Sequence, residues 1–344
     1  MTKFFVLFNL ILKGLKGGGK MIIFVFLIAF LISFNVYAFD SNWISKGLVV
    51  VYSAEGGSSS QVNPQEASAV YGRGYKIYTV FMKEGNEVYG LEQLMLFSQT
   101  SGSVFYQSTV NEFNIQKTGT SFYLNPDQLE KEIKSKSTLP RNCKLFGKAG
   151  NISLVCNQNG IESKIVLVYD TKTGLIKESI GSQKSNVQGN LSQMRLSYLT
   201  HFYIDIPDVK NFPEAALNSY TYRIISSSPM GVFPTGSLSI KYKNKINKVA
   251  FYSMDYQGFP IDMIGIPYVG PHYLHPALLR KKSLLEVPQI GFKMELSPED
   301  GKVILNHIWN GNIILQQEYD KKTGLKLKEV QPMGMGINII LELK

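Results

Sequence analysis

Cysteine is nearly absent. The 344 residues contain two, too few for a disulfide scaffold or a four-thiolate zinc site. Charged residues make up 18% and hydrophobic ones 44%, which excludes both a disordered chain and a polytopic membrane protein. No Lys/Arg run is longer than Arg280-Lys281-Lys282, which argues against nucleic acid as a partner. Catalytic signatures are missing too. There is no Gly-x-Ser-x-Gly elbow and no His-Glu-x-x-His. Gly17-Gly18-Gly19-Lys20 lacks the first spaced glycine and the Ser/Thr of a phosphate loop. Glu130, Glu132, Glu162 and Asp255 form no pair that the sequence places in one cleft. These absences favour a non-enzyme and imply no cofactor.

What is present begins with targeting. Met21–Ala38 has an apolar run, Ile22–Phe34, leading into Val36-Tyr37-Ala38, the pattern of a secretory signal. Cleavage after Ala38 is expected, so residues 1–38 form the signal. Lys13-Gly14-Leu15-Lys16-Gly17-Gly18-Gly19-Lys20 precedes Met21, which is a candidate true start. The alternative is an anchor, because Met21–Phe39 is just long enough to span a bilayer uncleaved. Removing residues 1–38 takes away four lysines and no acid, which lowers the formal charge from +10 to +6. A mildly basic exported chain admits contact with an anionic membrane surface. Periplasm or cell surface is the expected location.

Aromatics, with 20 Phe and 19 Tyr, lean toward β structure. Three sequence pairs then share one offset of 150 residues. Phe122-Tyr123-Leu124-Asn125-Pro126 returns as His272-Tyr273-Leu274-His275-Pro276. Tyr169-Asp170-Thr171-Lys172-Thr173-Gly174-Leu175 returns as Tyr319-Asp320-Lys321-Lys322-Thr323-Gly324-Leu325, and Tyr106-Gln107 as Tyr256-Gln257. Tandem duplication is the reading, with β-rich repeats over 39–180 and 212–344 and a connector over 181–211.

Within each repeat the turn chemistry is explicit. Asn125-Pro126 predicts a helix to about Lys136, with Leu129 and Ile133 facing inward. His275-Pro276 predicts a matching helix through Leu278, Leu279 and Leu285. Asn159-Gly160, Asp300-Gly301 and Asn310-Gly311 are hairpin turns, and Asp170–Gly174 is a further turn. Upstream strands are read at Gly47–Ser53, Tyr75–Met82, Val88–Phe97, Tyr220–Ser226, Gly236–Tyr242 and Val249–Met254. Gly56–Ser60 reads as a flexible loop. The fold class is mainly β (α+β): antiparallel meander sheets with one covering helix per half.

An exported β-meander with one helix laid over it resembles the periplasmic lipoprotein carriers and related lipid-binding half-barrels. The shared turn Tyr-Asp-x-Lys-Thr-Gly-Leu at 169–175 and 319–325 resembles one seen in many exported β proteins. The resemblance implies an apolar concave face that holds a lipid, a lipoprotein or another envelope protein. It places any ligand beneath the predicted helices, near Leu129, Ile133, Leu279 and Leu285. It carries over no functional residue. The alternatives are an envelope hydrolase with a dispersed active site and a surface-assembly component.

Two residue sets remain. His272, His275 and His307 are the candidates for a metal site, although the repeat positions of the first two hold Phe122 and Asn125, so the fold does not need imidazole there. No metal is predicted. Cys143 and Cys156 are expected to form a disulfide. If Ala149-Gly150 is a two-residue loop, Lys148 pairs with Asn151, and counting outward pairs Cys143 with Cys156. A one-residue bulge at Gly150 would instead send the two thiols to opposite faces. For the targeting reading, N-terminal sequencing of the exported protein should begin at Phe39; a terminus at or before Met21 would identify an anchor.

Overall fold

The computed structural model describes residues 42–61, 67–98, 104–116, 122–135, 142–158, 161–185, 191–256, 258–334 and 336–344. The signal segment 1–38 and the Asn159-Gly160 turn lie outside the described residues.

The chain is mainly β, in antiparallel sheets with very little helix. The first half carries β1 (Leu48–Gln61), β2 (Ala67–Glu84), β3 (Glu87–Ser98), β4 (Val104–Asn114), α1 (Pro126–Ser135), β5 (Cys143–Lys148), β6 (Asn151–Gln158), β7 (Ile161–Tyr169), β8 (Ile176–Ser185) and β9 (Leu191–Tyr203). The second carries β10 (Tyr220–Ser228), β11 (Gly231–Ile246), β12 (Val249–Tyr256), β13 (Phe259–Gly265), β14 (Val269–Gly270), β15 (Tyr273–Leu274), β16 (Ser283–Val287), β17 (Phe292–Pro298), β18 (Lys302–Trp309), β19 (Asn312–Asp320), β20 (Lys326–Gly334) and β21 (Ile337–Leu343). One sheet has the order β4-β3-β2-β1-β9-β8-β7-β6-β5 and another the order β13-β12-β11-β10-β21-β20-β19-β18-β17-β16; β14 and β15 pair separately.

The chain folds into two compact units that interleave along the sequence. Unit 1 gathers Ser53–Gly72 and Phe113–Leu199 with the residues through Trp43; unit 2 gathers Ile44–Tyr52, Arg73–Glu112 and Thr200–Lys344. In unit 1, Leu124, Leu129, Ile152, Ile165, Leu167, Tyr169 and Ile176 form an apolar core. Unit 2 has one cluster around Val287, Phe292, Val303 and Leu305, and a second around Tyr222, Ala250, Tyr252 and Tyr273.

Local chemistry explains the elements. Asn125 caps α1, its Oδ1 accepting the Gln128 N–H at 3.2 Å, and Leu129 beneath it is fully buried. The Tyr-Asp-x-Lys-Thr-Gly-Leu turns are built alike. Asp170 Oδ1 accepts the N–H groups of Lys172 and Thr173, and Asp320 Oδ1 those of Lys322 and Thr323. Gly174 and Gly324 take φ of 71° and 75°. The carbonyl of each glycine accepts the N–H of Leu124 or Leu274, which ties the turn to the segment before it. Both turns also leave a bulge at one place: Tyr169 pairs with Ile176 and Tyr319 with Lys326, after a register shift at the preceding residue.

The hairpin of β5 and β6 pairs Lys148 with Asn151 and Cys143 with Cys156, and a disulfide joins the two cysteines. Directly opposed residues bring their Cβ atoms within bridging reach.

Four expectations are corrected. Among the described residues no second covering helix forms. Leu278 and Lys281 donate to carbonyls only three residues back, and the Lys282 carbonyl already accepts the Leu296 N–H, so the chain enters the sheet before a helix can form. Leu285 and Val287 are buried and Glu286 is exposed, a period of two that belongs to β16. The Gly56–Ser60 run is no loop but part of β1, where a Cβ at Gly56 would stand 3.1 Å from the Gln193 carbonyl oxygen. Glycine there permits close approach of the neighbouring strand. Residues 181–211, read as a connector, contain the end of β8 and all of β9, whose Met194 and Leu196 point inward. β11 also extends beyond the expected strand, accommodating Pro234 beside a bulge opposite Ile224 and Ile225.

Gly324→Ala should be much worse than Gly301→Ala. Both glycines have positive φ, but a Cβ at Gly324 would sit 2.2 Å from the Leu274 carbonyl oxygen while Gly301 faces open space. The left-handed backbone alone costs an alanine about 1–2 kcal/mol. Urea unfolding should show that loss for Gly301→Ala and at least about 2 kcal/mol more for Gly324→Ala.

Candidate functional site

Unit 2 contains a partly open cavity of about 230 Å³. Its walls are largely apolar: Phe81 from β2, Leu91 from β3, Val110 from β4, Leu238 and Ile240 from β11, Met254 from β12, Leu285 from β16 and Met294 from β17. One wall is polar, and strand register builds it. Leu305, Gln317, Glu329 and Leu341 stand opposite one another across β18, β19, β20 and β21. Opposed residues share a face, so this row places an amide and a carboxylate among leucines on the cavity side.

These polar groups satisfy one another. Lys326 Nζ donates to Glu329 Oε2 at 2.7 Å, and Gln317 Nε2 donates to the same oxygen at 2.8 Å. Tyr319 OH donates to Gln317 Oε1 at 3.1 Å, and His307 Nε2 lies 3.3 Å from that oxygen. Nearby, Gln93 Nε2 donates to Tyr106 OH at 2.7 Å, and the Tyr106 ring meets the His307 ring edge-on at 5.0 Å. Tyr222 OH holds the Lys326 backbone carbonyl at 2.8 Å.

Charges follow from this arrangement. Burial pushes the Glu329 carboxyl up, but the Lys326 ammonium and the donated hydrogen bonds from Lys326 and Gln317 outweigh it, so the group stays ionised below its ordinary value. Burial drives His307 down to about 4, against the smaller raising effect of Gln317. The imidazole is therefore neutral at pH 7. Burial also raises Tyr106, Tyr222 and Tyr319, keeping their hydroxyls protonated. Three residues of the lining each carry a buried atom with no hydrogen-bond partner among the described residues: Thr79 Oγ1, Gln93 Oε1 and His307 Nδ1.

Such a site can bind and orient a molecule. It is poorly equipped for acyl transfer, since His307 has no hydroxyl or thiol hydrogen-bonded to Nδ1 and the neighbouring carboxylate is engaged by lysine.

The residues singled out from sequence are scattered. Leu285 lines the cavity. Leu129 and Leu279 are packed into the cores of units 1 and 2, and neither lines it. The side chain of Ile133 lies outside the described residues. His272 is buried among Tyr220, Tyr252 and Tyr273 and bonds the Ala215 carbonyl through Nε2 at 2.9 Å. His275 accepts the Ala277 N–H through Nδ1 at 3.0 Å. Among the described residues no group of three metal-ligating side chains converges. Gln93, Tyr106, Gln317, Lys326 and Glu329 were not anticipated. Their signal is polar residues at inward positions of alternating strands, as in Val303-x-Leu305-x-His307 and Leu315-x-Gln317-x-Tyr319.

No family model matches the chain, and no curated protein does. Solved structures with distant likeness include a protein of unknown function from the DUF3598 family of Nostoc punctiforme. It is 10% identical, the match covers 86% of this chain and 95% of that one, and the TM-score is 0.18. Transferrin binding protein B from Haemophilus parasuis is 8% identical over 88% of this chain and 78% of that one, with a TM-score of 0.15. A mutant porin of Rhodopseudomonas blastica is 6% identical over 86% and 98%, also with a TM-score of 0.15. Scores this low carry no argument about this chain.

Buried neutral histidines make stability depend on acid. His272, like His307, is driven down by burial to about 4 from the ordinary 6.5. Between those values the unfolded chain binds more protons, so stability rises with pH there and falls as pH drops from 6.5 toward 4. Each histidine contributes on the order of 3 kcal/mol that is complete above 6.5. Urea midpoints at pH 7 and pH 4.5 should therefore separate less in His307→Gln, and in His272→Phe, than in wild type.

Proposed function

We propose that this chain is an exported, non-catalytic envelope protein that holds a small, largely apolar molecule in the unit 2 cavity. Residues 21–38 support export, and the mildly basic remainder is compatible with work near an anionic surface. One observation carries the binding reading: a mostly apolar cavity whose lining includes a largely buried, internally bonded ion pair and three residues each with a buried polar atom left without a partner. Convergent polar groups in an apolar cavity are the common anatomy of a ligand site.

A comparison of the two halves strengthens it. We infer a tandem duplication in which β1–β9 correspond to β10–β13 and β17–β21, supported by the 150-residue offset of the sequence motifs, by the shared strand order of the two sheets and by the matching turns and bulges. At that offset Gln317 corresponds to Leu167 and Lys326 to Ile176, and both first-half residues are buried apolar core. The fold is thus met by leucine and isoleucine at these two positions. A buried ion pair is weak ground for stability, so its presence in only one half favours a role in binding.

Native mass spectrometry of the gently purified protein should retain a small molecule. Leu285→Phe, which adds bulk to the cavity wall, should lose it while destabilising the fold by no more than about 1–3 kcal/mol. A folded Leu285→Phe protein that retains the molecule at wild-type occupancy would place the ligand elsewhere.

A further inference from the structure

Charge is sorted along the strands of unit 2. β11 ends at Ile246, turns at Asn247-Lys248 and returns as β12. This end reads Lys241-Tyr242-Lys243-Asn244-Lys245-Ile246-Asn247-Lys248, with four lysines and no acid. At the opposite end, the turns over 228–231, 256–259 and 334–337 carry no charge at all. A bulge decides where the lysines point. The register shifts between Tyr242 and Asn244, so Lys245, instead of Asn244, stands opposite Ala250. Opposed residues share a face, and Ala250 and Tyr252 are on the face covered by the segment from Phe212 to Leu217. Lys245 Nζ lies 5.5 Å from the centre of the Phe212 ring. Asn247 takes a φ of 52° in the tight turn, and Lys248 Nζ donates to the Lys210 carbonyl at 2.9 Å. Lys210, Lys245 and Lys248 thereby frame an open cavity of about 530 Å³ that Phe212 and Leu217 also line. Among the described residues one acid lines it, Glu84, which stands 4.0 Å from Lys248 Nζ and offsets a single charge. Leu217 and Ile246 are 41% and 56% exposed. Further along this end, the Lys321 N–H donates to the Gly301 carbonyl, which sets Lys321-Lys322 beside the acidic Glu299-Asp300 turn. The excess of positive charge is therefore at the β11–β12 turn.

We propose that this end of unit 2 docks on an anionic bilayer, with one lipid phosphate seated among Lys210, Lys245 and Lys248 and with Leu217 and Ile246 against the apolar layer beneath the headgroups. Lysine suits that place, because its ammonium reaches the phosphate while its methylene stem lies along apolar surface. The chain also enters unit 2 here. Gly47 N–H donates to the Val80 carbonyl at 2.8 Å, four residues before Glu84, and Lys46 Nζ donates to Asp208 Oδ1 at 2.5 Å, two residues before Lys210. Only four residues separate Phe39 from Ile44, so an anchor kept over Met21–Phe39 would hold this same end at a membrane. A nucleic acid would engage the lysines but leave Leu217 and Ile246 in water, whereas a bilayer takes both. Neither Lys245 nor Lys248 lines the apolar cavity, so the two sites stand or fall separately.

A fluorophore at the turn tests this locally, whatever becomes of residues 21–39. In the full chain, Ile246→Trp, read as the difference from wild type, should shift its emission to the blue when vesicles of phosphatidylcholine and phosphatidylglycerol are added. Phosphatidylcholine alone should leave it unmoved, and raising the salt from about 0.1 M to about 0.5 M should reverse the shift. A lysine near an anionic surface strengthens binding roughly fivefold, the equivalent of about 1 kcal/mol. Lys210→Gln with Lys245→Gln, in the same background, should therefore raise the lipid needed for half the shift roughly 25-fold. Lys321→Gln with Lys322→Gln, beside acidic neighbours, should raise it less than about threefold. An unmoved emission, an equal shift with phosphatidylcholine alone, or equal losses in the two lysine pairs would overturn the docking site. A shift produced as well by single-stranded DNA as by anionic vesicles would overturn it in favour of a nucleic acid.

Discussion

The Asp320–Leu325 turn sets the register of β19 against β20, and the polar wall of the cavity follows from that register. The Asp320 carboxylate accepts the N–H groups of Lys322 and Thr323, and Gly324 supplies the left-handed residue that lets the chain reverse. Tyr319 is thereby placed opposite Lys326, and Gln317 opposite Glu329. A slip of one residue would turn Gln317 and Glu329 to the other face of the sheet. The Lys326–Glu329 ion pair and its bond from Gln317 follow from this one turn.

Two opposing demands meet in unit 2. Burial of Val287, Phe292, Val303 and Leu305 supplies the usual hydrophobic drive. Lys326, Glu329, Gln317 and His307 oppose it, because each must give up water. The opposition is limited by completeness: the carboxylate accepts two donors, and the amide bridges it to the imidazole and to Tyr319. Satisfied networks of this kind hold one arrangement rigidly, whereas an unpaired member is penalised heavily.

Much of the fold was legible because its signals are local. Asn125-Pro126 opens a helix through capping that involves only neighbouring residues. Asn310 and Gly311 take positive φ, as their residue types suggest. Counting outward from Ala149-Gly150 reaches the cysteine pair because no bulge interrupts the hairpin between them. The reading failed where distant strands decide the outcome. His275-Pro276 has the same local grammar as Asn125-Pro126, yet β17 captures the following chain as β16, and the helix does not form. Gly56–Ser60 looks flexible by composition, yet it is held within β1 by strand pairing.

The sequence by itself determined the strand and turn grammar, the motif that recurs 150 residues on and the cysteine partners, because each depends on residues close together or on a pattern repeated at one offset. Only the tertiary structure decided the site. Gln93, His307, Gln317 and Glu329 are separated by more than two hundred residues at the extremes, and no spacing rule links them. Their convergence follows from strand order and register, in which each residue's face is set by partners on other strands. Whether a polar residue in an alternating strand faces water or a cavity is settled by what is packed against that face, and packing is a property of the assembled sheets alone.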